Sequence, residues 1–213
     1  MKSRTSRTLF AAAGALWLSL IGAGVAYTWS YQSTPGRLGE PPAEWPTASR
    51  IQPTAHLPTL VLMIHPHCPC SRATIGELAL LMTHAQGLVN ANVLFVKPRE
   101  FSEDWGKTDL WKSAASIPGV NVMADEDGVE AARFRSLTSG QVMLYDTSSR
   151  LVFSGGITAS RGHAGDNEGR NAILSWLTTG AADTKQTAVF GCPLFQPGKD
   201  KPTEEFCNGS HPN

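Results

Sequence analysis

The stretch "LVLMIHPHCPCSRATIGEL", residues 60–78, decides how the rest of the chain is read. The uninterrupted apolar run Thr59 to Ile64 has the composition of a central strand covered on both faces. A helical pattern follows at once. Ser71 to His84 places Ala73, Ile75, Leu78, Leu81 and Met82 on one face, and Gly87 acts as its stop signal. At the junction stand His65, His67, Cys68 and Cys70, with only Pro69 between the cysteines. Unpaired amides at a helix start lower a nearby thiol pKa, and the thiolate is the reactive form. His65, His67 and Arg72 add ionisable or positive groups beside it.

Three chemistries fit these residues. A bridge between residues i and i+2 closes a small ring, stiffened here by Pro69, and strain makes a disulfide easier to reduce, so a redox-active pair is one. Thiolate and imidazole also suit copper(I) or zinc, so Cys68 and Cys70 with His67 and His163 are a metal-binding alternative, as in a copper or zinc delivery protein. The third is an inert staple joining Cys68 or Cys70 to Cys192 or Cys207, because four cysteines allow three connectivities. Cys192 and Cys207 themselves read as a structural disulfide, closing a tail without clear helix or strand.

Outward from this junction the chain alternates strand and helix, the pattern of an α/β domain. Strands are expected at 92–96 and 120–123, and as a hairpin at 141–145 and 151–154 around Thr147-Ser148-Ser149. Helices are expected at 108–117, 127–136 and 167–178. Upstream, residues 30–56 form a Pro-rich linker; Pro35, Pro41, Pro42, Pro46 and Pro53 lack backbone donors and bias the chain toward an extended spacer. Trp45 is the exception, a linker aromatic able to dock on the domain. Residues 181–213 are a Gly-, Pro- and Lys-containing tail that carries Cys192 and Cys207.

The N-terminus sets the compartment. Lys2, Arg4 and Arg7 in residues 1–8 precede an uncharged stretch, 9–29, long enough to supply the roughly 20 apolar residues of a membrane span. A cleaved signal is the alternative, since Gly24 and Ala26 offer a small-x-small site. Either way the remainder is expected to be exported across a bacterial inner membrane into the periplasm, where disulfides persist, and an uncleaved segment makes it a single-pass membrane protein. Lys plus Arg and Asp plus Glu number 18 each, a balance that suggests neither nucleic acid nor an acidic substrate.

Strand, short cysteine motif, helix, strand, helix, hairpin and final helix together resemble the thioredoxin fold over residues 57–180. The resemblance implies a central mixed sheet flanked by helices, and a thiol–disulfide oxidoreductase acting on a protein thiol or disulfide partner without a cofactor. It implies Cys68 as the attacking residue and Cys70 as the resolving one. "HPHCPCSRA", "SGGITASRGHAGDNEG" and "FGCPL" are similar to a group of membrane-anchored thioredoxin-like proteins labelled RedB. Two departures stand out: the motif is one residue shorter than C-x-x-C, and Ser139-Gly140 occupies the place of the substrate-positioning cis-proline. If the strand at 59–64 pairs antiparallel with 141–145, Ser139 lies at the cysteine end. The glycine-rich loop 155–169 then flanks the cysteines, with Arg161 to support a thiolate or hold an anion and His163 as base or ligand.

Overall fold

The structure is a computed structural model that describes residues 2–195. The chain divides into two units, one up to Thr34 and one from Pro35 onward. In the first, α1 (Lys2–Ser33) contains the stretch Ser6–Ser33, whose most apolar 18-residue window has a mean hydropathy of 1.9. That stretch is long and apolar enough to cross a membrane. Three of its hydroxyls bond back within the helix: Ser19 donates to the Ala15 carbonyl, Thr28 to that of Gly24 and Ser33 to that of Trp29.

The second unit is built on a five-stranded mixed sheet of order β3-β2-β1-β4-β5, from β1 (Thr59–Ile64), β2 (Asn90–Lys97), β3 (Val120–Glu126), β4 (Gln141–Tyr145) and β5 (Leu151–Gly155). The first three strands are parallel, whereas β4 runs antiparallel to both β1 and β5. Helices α2 (Ser71–His84), α3 (Glu103–Gly106), α4 (Asp109–Ala115), α5 (Val129–Arg133) and α6 (Glu168–Thr179) complete it. The elements expected from sequence are present, with α3 in addition. The helix expected at 127–136 is shorter, because Asp127 and Gly128 adopt left-handed φ of 56° and 67°. Both carboxylate oxygens of Asp125 then accept the N–H groups of Glu130 and Ala131 in its first turn.

Strand alternation divides the core into two layers. Leu60, Leu62, Ile64, Phe95 and Leu144 face one side, packed with Ile75 and Leu78 of α2, Leu110 of α4 and Ile173 of α6. Val61, Met63, Leu94, Met143 and Tyr145 face the other, where the covering residues are Trp45, Ile51, Phe134 and Leu194. Residues 35–56, expected as a spacer, therefore lie along the sheet, and so do residues 182–195. Trp45 packs edge-on against Phe134 and Tyr145, at centroid distances of 5.1 and 5.0 Å. Prolines do not hinder this attachment, since the segment's carbonyls accept where its rings cannot donate: Tyr145 donates its hydroxyl to the Pro42 carbonyl (3.0 Å), and Leu151 its N–H to that of Ala43 (2.8 Å).

Trp45→Ala empties the centre of this second layer. The expected outcome is a loss of about 3 kcal/mol of unfolding free energy, read from the urea midpoint of the full chain. An unchanged midpoint would show that residues 35–56 do not stabilise the sheet.

Candidate functional site

Strand β1 ends in a tight connection to α2. Cys68 donates its N–H to the His65 carbonyl (3.1 Å), Ser71 to Cys68 (3.0 Å) and Arg72 to Pro69 (3.4 Å), a run of three-residue turns that winds into the helix. Cys70 is the cap residue, and no side chain caps the helix there. Cys68 and Cys70 thus stand at the positive end of a 14-residue helix, where a thiolate is favoured.

A third cysteine joins them. Cys192 places its Sγ 2.8 Å from the Cys68 Sγ and aims its backbone N–H at the same sulfur (3.3 Å). All three are thiols and all three are buried in one cluster, Cys68 completely. Donation from the Cys192 thiol first, and from Cys70 second, holds the Cys68 thiol well below the usual thiol range, against the opposing effect of burial. Cys192 is pushed far up, because as donor to Cys68 and then Cys70 it is needed in its protonated form. Cys70 is also raised: donation from Cys192 and the charge of Arg161 favour its thiolate, but its role as donor to Cys68 and its burial outweigh them.

Ser139 holds the arrangement together from the opposite strand. Its Oγ accepts the His65 N–H (2.8 Å) and hydrogen-bonds the Ser71 hydroxyl (2.8 Å). Its own N–H donates to the Cys192 carbonyl (2.8 Å), a bond that proline at this position cannot make. Gly140 follows at φ 93° and donates to the Met63 carbonyl (2.7 Å).

The other residues singled out in the sequence divide. His65 is buried, edge-on to Trp105 at 5.9 Å. The His67 Nε2–H donates to the Trp105 carbonyl (3.0 Å), and the two rings lie 4.6 Å apart. Arg161 donates to the carbonyl of Gly191, next to Cys192 (2.6 Å). Arg72 instead forms an exposed ion pair with Asp109 of α4. His163 is exposed, its Nδ1–H bonded to the Arg161 carbonyl (2.8 Å). Among the described residues no group of three His, Cys, Asp or Glu side chains is placed to hold a metal ion. Cys207, and with it the expected Cys192–Cys207 bridge, lies outside the described residues.

Sequence reasoning placed Cys192 beside Cys68 only as one form of an inert staple and otherwise assigned it to a bridge with Cys207, not to the reactive site. It missed Glu77, a buried α2 carboxylate that accepts from Gly165 N–H (2.6 Å) and Asn167 Nδ2 (3.1 Å) and pairs with Arg170. Glu77 thereby ties down the end of the glycine-rich loop. Its signal was an acid within the apolar face of a helix.

No protein-family model matches the chain, and no curated protein matches it. Solved structures do. A hypothetical protein, SMc02350, from Sinorhizobium meliloti 1021 superposes with a TM-score of 0.56 at 20% identity, covering 76% of this chain and 96% of that one. An uncharacterized conserved protein from Geobacillus kaustophilus gives 0.56 at 19% identity, covering 78% and 95%. The exposed lipoprotein thioredoxin Etrx1 from Streptococcus pneumoniae strain TIGR4 gives 0.42 at 16%, covering 57% and 84%. With β1, the cysteine turn, α2, the antiparallel hairpin and α6 in this order around a mixed sheet, the chain has the thioredoxin-like fold.

Proposed function

We propose that this protein is a membrane-tethered thiol–disulfide oxidoreductase whose attacking group is Cys68, with Cys70 beside it in the C-P-C turn. The observation that carries the reading is the Cys68 sulfur itself. It lies at a strand-to-helix junction, buried, with two further thiols and a backbone N–H directed at it. Such an environment favours the thiolate over the thiol, and disulfide exchange begins with thiolate attack on a disulfide sulfur. A thiolate at Cys68 attacks a partner's disulfide and forms a mixed disulfide. A second protein thiol then attacks Cys68 and releases the partner's remaining thiol. Ser139 and Ser71 hold the turn that presents Cys68, and the Arg161 charge favours ionisation of Cys70. The partner is a protein thiol or disulfide.

The proposed location is supported by α1 and by the basic residues ahead of residue 9. Lys2, Arg4 and Arg7 favour a cytoplasmic N-terminus, which puts the domain on the far side of a single-pass span, in the periplasm of a bacterial inner membrane. Cysteine pairs cycle there against an oxidising background.

Two measurements test this. Cys68→Ser in the full detergent-solubilised chain is expected to abolish exchange with a protein disulfide, because a serine hydroxyl does not ionise in this range; retained exchange would remove Cys68 from the reaction. An ordinary thiol loses its ultraviolet thiolate absorbance as pH falls through about 8.5. A lowered pKa shifts that loss to more acidic pH, so the reduced protein keeps one thiolate's absorbance at neutral and mildly acidic pH, and Cys68→Ser removes it. Loss at the pH of unfolded protein would contradict a stabilised thiolate.

A further inference from the structure

The segment after α6 is held against the site by hydrogen bonds along its length. Thr187 Oγ1 donates to the Gly156 carbonyl (2.8 Å), Gly36 N–H to Val189 (2.8 Å), and Arg161 to Gly191 (2.6 Å). Residues 192–194 then pair antiparallel with 137–139: Ser139 N–H donates to the Cys192 carbonyl (2.8 Å), Leu194 N–H to that of Leu137 (2.9 Å), and Thr138 stands opposite Pro193. Val189 and Leu194 are buried. Position 191 requires glycine, because a Cβ there would collide with the Ser139 carbonyl oxygen. The chain has thus laid its own strand across the cysteine turn, and that strand carries a thiol facing Cys68.

We propose that Cys192 is the resolving thiol of this site, and that its oxidised form carries a Cys68–Cys192 disulfide. This rests on the thiol–disulfide reading above. Cys70, in the same turn, also donates to the Cys68 sulfur, but Cys192 is the first of the two donors and meets Cys68 head-on from a separate segment, Sγ to Sγ at 2.8 Å with its backbone N–H on the same sulfur. In the reducing direction the Cys68 thiolate attacks one sulfur of a disulfide R–S–S–R′; the S–S bond breaks and R′–S⁻ leaves, taking a proton from water. The Cys192 thiol gives up its proton and its sulfur attacks Cys68 Sγ, breaking the Cys68–S–R bond. R–S⁻ departs and takes up that proton. The two cysteines lose two electrons, and the external disulfide gains them.

The test uses full-length protein carrying Cys207→Ser, reduced, then mixed with an equimolar amount of dithiodipyridine, whose two halves absorb when released. Both halves are expected to appear, and peptide mapping to join Cys68 to Cys192. Adding Cys192→Ser should arrest the reaction after the first half, with the second slowed at least about tenfold and the mixed disulfide left on Cys68. Adding Cys70→Ser instead should still release both halves through a Cys68–Cys192 bridge, which keeps the question decidable if Cys192→Ser does not fold. Full release from the Cys192→Ser protein with a Cys68–Cys70 bridge, or arrest in the Cys70→Ser protein, overturns the role of Cys192 and leaves thiol–disulfide exchange standing. A parent protein that releases neither half and keeps Cys68 unmodified overturns both.

Discussion

One strand pairing carries the site. Met63 stands opposite Gln141 at the end of the β1–β4 ladder, and Gly140 closes it by donating to the Met63 carbonyl. Because β4 is antiparallel to β1, the residues just before it, Thr138 and Ser139, arrive where β1 leaves for the cysteine turn. A shift of one residue would turn every side chain of β4 to the opposite face. The Ser139 hydroxyl would then no longer meet His65 N–H and Ser71, and the two halves of the site would lose their common anchor.

The same residues recruit the parts of the chain outside the helices and strands. Thr138 donates its hydroxyl to the Arg37 carbonyl (2.7 Å), and the Gln141 side chain bonds both the N–H and the carbonyl of Gly39 (3.2 Å each). Gly36 in turn holds Val189. Each such bond contributes about 1 kcal/mol net, so the attachment leans equally on apolar burial. Trp45 and Leu194, both buried, are worth roughly 2–3 kcal/mol each. The sheet face without long helices is covered by these two segments, and the cover is what brings Cys192 to Cys68.

Burial gives the thiol cluster its character. Three sulfurs enclosed together cannot all ionise, so one takes the charge and the others become its donors. Cys68 is the one that two neighbouring thiols and an amide serve at once. The histidines take a different part: His65 and His67 pack against Trp105, forming an aromatic wall beside the turn.

Most of the sheet was legible in the residues. The apolar run 59–64, the 3.6-residue pattern after Ser71 and the alternation in the hairpin are local signals, and β1, α2 and β4 begin and end where those signals do. The position of Cys68 and Cys70 at a strand-to-helix junction was legible for the same reason. The antiparallel β1–β4 arrangement that puts Ser139 at the cysteine end was also inferable from the order of the elements. Local pattern does not encode what happens when a proline-rich segment and a tail without periodicity meet a bare sheet face. Their placement depends on contacts between residues far apart in the chain, such as Gly36 with Val189 and Ser139 with Cys192. The amino-acid order therefore determines the junction and its two cysteines. Only tertiary packing, which buries Leu194 and forces Gly191 against Ser139, decides that a third cysteine stands over Cys68 and that Arg72 and His163 turn to other partners.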